Sequence, residues 1–103
     1  MTRAELLAWF ESRRPMPPPT LRAHLARQAE DASAALPEHL AAQGCALLQR
    51  VLDRPHGARE LALDLLVADA LVTYAFEAQA EVDTSGLVTL AQRIAGGGAW
   101  PIS

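Results

Sequence analysis

Residues 58–82 run for 25 positions with no glycine and no proline. An uninterrupted α-helix there would be about 37 Å long. Its apolar residues do not keep to one side. Leu61, Leu65, Ala68, Val72 and Ala75 form one stripe. Leu63, Leu66, Val67, Ala70, Leu71, Tyr74 and Phe76 cover much of the remainder. A helix apolar nearly all round is either surrounded by its own domain or shared with a second surface. It is not a membrane span, because Asp64, Asp69 and Glu77 interrupt it. Each Asp costs about 2.5–3.5 kcal/mol at a bilayer centre.

The rest of the chain agrees with a helical fold. Its 103 residues include 21 Ala and 16 Leu but only seven Val and Ile together, and aromatics are 5%. Helices favour Ala and Leu, whereas strands favour β-branched and aromatic side chains. The expectation is an all-α fold. It is a compact bundle of four to five helices around a long central apolar helix, in one domain spanning 1–103. A chain of this mass buries about two thirds of its unfolded surface. The single cysteine, Cys45, excludes a disulfide scaffold.

Local signals divide the chain. Thr2 followed by Glu5 fits a capping box, opening a first helix to about Arg13 with Leu6, Leu7 and Phe10 inward. Pro15, Pro17, Pro18 and Pro19 make a stiff connector over 15–19. Thr20 is placed to cap a second helix, whose stripe Leu21, Leu25, Ala29, Ala32 and Leu36 is amphipathic. Pro37 ends or kinks that helix, or opens the next. A third helix carries Leu40, Leu47, Leu48, Val51 and Leu52. Gly44 in its middle costs about 1 kcal/mol relative to Ala, which close packing on another helix would explain. Asp53 to Gly57 reads as a turn. After the long helix, Asp83, Thr84 or Ser85 caps a last one with Leu87, Leu90, Ala91 and Ile94. A flexible glycine-rich tail is expected from 96, carrying Trp100 and Ile102.

Net charge is −3, distributed as +3 over 1–28, −1 over 29–59 and −5 over 60–103. Attraction between the two ends of one domain explains this better than a nucleic-acid footprint, which would be basic. No secretion signal is visible at Met-Thr-Arg-Ala-Glu, so a cytoplasmic location is expected.

Residues able to carry chemistry are few. His24, His39 and His56 fall on different elements, and no Glu has a His three residues later, as a di-iron bundle needs. Asp53 and His56 have the spacing but lie in the turn. One cysteine is too few for a zinc cluster, and Cys45 beside Gly44 reads as a small buried hydrophobe. No metal, cofactor or catalytic residue is expected. Acidic pairs on the long helix, including Asp69 and Glu77, read as a polar stripe facing solvent or the N-terminal arginines.

The stretch Ala68-Asp69-Ala70-Leu71-Val72-Thr73-Tyr74-Ala75-Phe76-Glu77 resembles the helix of polyprenyl diphosphate synthases that reads Gly-Asp-Ala-Leu-Leu-x-x-Ala-Phe-Glu. Asp69, Ala70, Leu71, Ala75, Phe76 and Glu77 match; Ala68 and Val72 depart. The resemblance implies a similarly packed helix. It does not carry synthase activity over, since that family's two Asp-rich magnesium motifs are absent. The adjacent acids here are Glu30 and Asp31, with no third at the needed spacing.

The expected function is a small soluble helical interaction module without catalysis. It self-associates as a homodimer and binds neither nucleic acid nor membrane. Leu63, Leu66, Leu71 and Tyr74 are the candidate interface, since they cannot share the stripe of Leu61 to Ala75. The alternative is an isoprenoid or diphosphate binder or enzyme using Asp69 and Glu77.

Overall fold

The computed structural model describes residues 1–53 and 57–96. Among them are five α-helices and no strand: α1 (Arg3–Glu11), α2 (Pro19–Gln28), α3 (Leu36–Asp53), α4 (Ala58–Val82) and α5 (Leu87–Ala95). A single 3-10 turn, Thr84–Gly86, joins α4 to α5. The principal extents are 39 × 30 × 23 Å, so α4 runs nearly the length of the molecule.

The helix ends follow their capping residues. Thr2 accepts from the Glu5 amide, and Glu5 Oε1 accepts from the Thr2 amide at 2.8 Å, closing the capping box. Those Thr2 bonds hold the Glu5 carboxyl below its usual range. Asp83 accepts from the Ser85 amide and hydroxyl, which lowers its carboxyl likewise. Pro19 stands at the first position of α2, with Pro18 as its cap rather than Thr20. Its fixed φ suits that place, and its missing N–H would be unbonded there in any case.

The second helix is shorter than its apolar stripe. It stops at Gln28 rather than continuing to Leu36. Ala29 and Ala32 are still buried, but in an irregular segment whose backbone bonds elsewhere. The Ala32 amide donates to the Met1 carbonyl at 2.8 Å, and the Met1 ammonium donates to the Ala32 carbonyl at 3.1 Å. Arg3 Nε donates to the Ala29 carbonyl, and the Arg3 amide donates to Asp31. The start of α1 therefore takes up the backbone groups that a continued α2 would have used itself. Pro37 lies in the first turn of α3.

The core is built on α4. Leu71 and Ala75 are 0% exposed, Ala78 1% and Val67 2%. Leu6 and Phe10 of α1, Leu25 of α2, Leu40, Ala41 and Leu47 of α3, and Leu90 of α5 complete it. Helices α3 and α4 are antiparallel: Glu38 and Gln79 line one cleft, and seven and eight positions lower on α4 Val72 and Leu71 meet Gly44. A Cβ on Gly44 would come 2.8 Å from Val72 Cγ2, 3.2 Å from the Ala68 carbonyl oxygen and 3.3 Å from Leu71 Cβ. The mid-helix glycine is thus the point of closest approach of the two longest helices.

Helix α1 is held to α4 by more than its apolar face. Trp9 meets Tyr74 edge-on at 5.7 Å between ring centroids, and Phe10 meets Tyr74 at 5.7 Å. The Arg13 guanidinium lies 3.8 Å from the Trp9 ring centre. Arg13 also bonds Glu77 at 3.3 Å and Glu81 at 3.0 Å, and Trp9 Nε1 donates to Glu81. The attraction between the basic N-terminal third and the acidic C-terminal part is realised in this contact.

Candidate functional site

The four residues proposed as an interface separate into two pairs. Leu71 is 0% exposed and Tyr74 7%. Both belong to the core, and neither is available to a partner. Tyr74 is covered by Trp9 and Phe10 of α1, from the other end of the chain, and Leu71 meets α3 at Gly44. The proline connector does not keep α1 away. Leu66 remains open at 51% exposure, and Leu63 is half-buried.

The stripe read as core-facing also divides. Ala68 and Ala75 are buried, Leu61 and Val72 are half-buried, and Leu65 is 41% exposed. Its Leu65 end is open although Val67 and Ala68 close by are buried. There α4 is paired with the last turns of α3, whose Leu48 and Leu52 are likewise open, at 41% and 71%. Of the apolar residues that the third helix carries, Leu40, Leu47 and Val51 are buried, and Leu48 and Leu52 are exposed. Cys45, read as buried, is half-buried.

These residues lie on a regular seam. On α3 the positions are Glu38, Ala41, Cys45, Leu48 and Leu52, at steps of three, four, three and four. On α4 they are Leu61, Leu65, Ala68, Val72, Ala75 and Gln79, at steps of four, three, four, three and four. Such spacing keeps a stripe on one side of a helix over several turns. Both stripes border the same seam. At its upper end the seam is covered by α5: Glu38 and Gln79 line a cleft of about 250 Å³ with Thr89, Leu90 and Arg93. Seven and fourteen positions along from Glu38 and Gln79 come Cys45 and Val72, then Leu52 and Leu65. Here no described element lies over them.

The polar candidates do not converge. Asp69 is exposed, while Glu77 is engaged by Arg13 at 3.3 Å. Eight residues separate them, about 12 Å along the helix axis. Among the described residues no three His, Cys, Asp or Glu side chains are grouped closely enough to hold a metal ion. His39 is 1% exposed on α3. Burial holds its imidazole below the ordinary range, against the opposing pull of Glu30. Tyr74 is pushed up, first by burial and then by Glu77. Both shifts accompany packing, and neither group lies in the cleft. Residues 54–56, with His56 of the Asp53–His56 pair, and residues 97–103, with Trp100 and Ile102, lie outside the described residues. No helix among the described residues is long and apolar enough to cross a membrane.

What this arrangement can do chemically is bind an apolar surface. It offers open leucines on two adjacent helices, and among the described residues no three His, Cys, Asp or Glu side chains are grouped. No protein-family model, curated protein or solved structure matches the chain.

Proposed function

We propose that the chain is a small helical interaction module that self-associates in the cytoplasm and acts by binding rather than by catalysis. One observation carries this reading. Four leucines, Leu48, Leu52, Leu65 and Leu66, stand 41–71% exposed on the lower halves of α3 and α4. Fully burying one Leu side chain is favourable by roughly 1.5–3 kcal/mol. Even the part now open on four of them is enough to drive association when several are covered together.

Arg50 and Arg59 lie on the lower halves of α3 and α4 with Asp53, Glu60, Asp64 and Asp69, a net −2. Two copies therefore carry like charge here, and added salt should favour their association. A nucleic acid would want a basic face, and the net charge is −3. A twofold pair is the commonest closed assembly.

The test is the mass of the full chain in solution across a concentration series. Light scattering should move from 11.1 kDa toward twice that as concentration rises. A chain that stays at the monomer mass up to millimolar concentration would show that the open leucines have no partner of their own kind.

A further inference from the structure

We propose that the cleft where α3, α4 and α5 meet binds a small zwitterion of the α-amino acid kind, its ammonium group on Glu38 and its carboxylate toward Arg93. This site is separate from the open leucines and does not depend on self-association. Glu38 stands in the first turn of α3, Gln79 in the last turn of α4, and Thr89, Leu90 and Arg93 along α5. Leu90, 3% exposed, gives the cleft an apolar wall. The volume of about 250 Å³ is the share of about eight water molecules. That is below the size of a drug-sized pocket and suits a molecule of a few heavy atoms.

Glu38 is the residue that calls for a ligand. One of its carboxylate oxygens, Oε2, is buried and meets no donor among the described residues. A carboxylate in the first turn favours the helix dipole, which accounts for an acid at this position. It does not account for an oxygen enclosed away from every N–H and O–H, a costly state for a buried acceptor. Arg93 lines the same cleft, yet no ion pair joins it to Glu38. Arg93 already makes an interaction of its own, and a guanidinium carries five N–H donors, enough for a further partner.

Gln79 and Gly86 shape the rest. Gln79 Nε2 donates to the Asp83 carbonyl at 2.8 Å, which leaves Oε1 as the acceptor of that amide. A Cβ on Gly86 would lie 2.9 Å from Gln79 Cδ, so glycine there lets the amide rest against the turn. The cleft thus combines acceptors from α3 and α4, the Thr89 hydroxyl and one cationic side chain. A simple amine would meet the acceptors and face Arg93 as a like charge. A simple carboxylate would face Glu38. A molecule carrying both charges satisfies both ends.

L-alanine is the probe, with ethylamine and propionate as the halves that lack its carboxylate or its ammonium. In amide NMR spectra of the full chain, L-alanine should shift the Gly86 and Thr89 amides and the Gln79 side-chain amide saturably, with a dissociation constant of about 1–10 mM. Each half should bind about tenfold or more weakly. Glu38→Gln should weaken L-alanine by about tenfold or more. Asp69→Asn makes the same charge change at an exposed position ten residues down α4 and should leave binding unchanged. L-alanine should also raise the melting temperature of the wild type but not of Glu38→Gln, and the same melts show whether the variant folds. The comparison of alanine with its two halves needs no variant.

No saturable shift up to about 100 mM overturns the site and leaves Glu38 Oε2 to water. Ethylamine or propionate binding as tightly as L-alanine overturns the zwitterion as its ligand. An equal loss in Asp69→Asn reduces the effect to net charge and overturns the role of Glu38.

Discussion

Gly44 and Val72 are in contact across the α3–α4 crossing, where a methyl group on Gly44 would stand 2.8 Å from Val72 Cγ2. Gly44→Ala adds that methyl. It gains about 1 kcal/mol of helix propensity and meets an overpacking cost of typically 1–3 kcal/mol. The Ala68 carbonyl oxygen and Leu71 Cβ, at 3.2 and 3.3 Å, leave it little room to move aside. Net destabilisation of about 1 kcal/mol is expected, which lowers the melting temperature by about 4–8 °C in a domain of this size. Val72→Ala removes the nearest obstacle. The cost of Gly44→Ala should therefore be smaller in the Val72→Ala background than in the wild type, as urea unfolding of the double-mutant cycle would show.

That glycine was legible because only close approach justifies its place in a helix. The capping box at Thr2 and Glu5 and the extent of α4 were legible for the same local reasons. The end of α2 was not. The stripe through Ala29 and Ala32 is genuine burial, but Met1 and Arg3 bond that backbone from far along the chain, and periodicity carries no trace of this. Leu71 and Tyr74 were misassigned for a related reason. A helix apolar all round does not say which side its own domain covers. For Tyr74 that was decided by Phe10 and Trp9, more than 60 residues away, and for Leu71 by the close approach of α3 at Gly44. Leu52 and Leu65 share heptad spacing with buried neighbours, yet they are 71% and 41% exposed beside buried Val51 and Val67, a difference of helix face that spacing alone does not assign.

Arg13 joins three partners at once: the Trp9 ring, Glu77 and Glu81. Its side chain is 12% exposed, but the carboxylates are 40% and 51% exposed, so solvent screens both pairs. Exposed pairs contribute about 0.2–1 kcal/mol each, and a cation over an aromatic ring about 0.5–1 kcal/mol. Arg13→Met should therefore cost about 1–2 kcal/mol at low salt. Half-molar salt should narrow the difference from wild type, because the ion pairs are screened while the packing of the Met side chain is not. An unchanged stability would mean that α1 is held by Leu6 and Phe10 alone.

His39 sets a pH dependence on the acid side of neutrality. Burial lowers its pKa in the folded chain relative to the ordinary value of 6.5. Between those two values the unfolded chain binds more protons, so stability rises with pH. The contribution is fully present above about 6.5 and is lost as pH falls through the window below it. His39→Leu should flatten the stability profile just below about pH 6.5, leaving the carboxylate-driven loss at lower pH, where Glu5 and Asp83 titrate. A profile with the same slope in the variant would place the titrating group elsewhere.

Asp69 and Glu77 test whether the likeness to a synthase helix carries any ligand chemistry. Asp69→Asn alters an exposed residue and should change stability by less than about 0.5 kcal/mol. Glu77→Gln removes one of Arg13's two carboxylates and should cost up to about 1 kcal/mol. Neither should affect magnesium or diphosphate affinity, since the two side chains do not converge. Calorimetric titration with magnesium and an isoprenyl diphosphate checks this. Micromolar binding lost in either variant would restore the ligand-binding alternative.

Leu71 and Leu66 differ most sharply in what truncation should do, although they lie on the same helix five residues apart. Leu71 is 0% exposed, belongs to the buried core and touches the Gly44 crossing. Leu71→Ala leaves a cavity at the tightest point of the fold and should cost about 2–5 kcal/mol. That is a large share of the roughly 5–15 kcal/mol that holds a small domain together. Leu66 is 51% exposed, so Leu66→Ala should cost about 1 kcal/mol or less. Both are measured by urea unfolding at two protein concentrations. If α4 is covered at Leu71 by its own chain, the Leu71→Ala loss is the same at both. A Leu66→Ala loss as large as that of Leu71→Ala, and growing with concentration, would place a second copy over the Leu66 side.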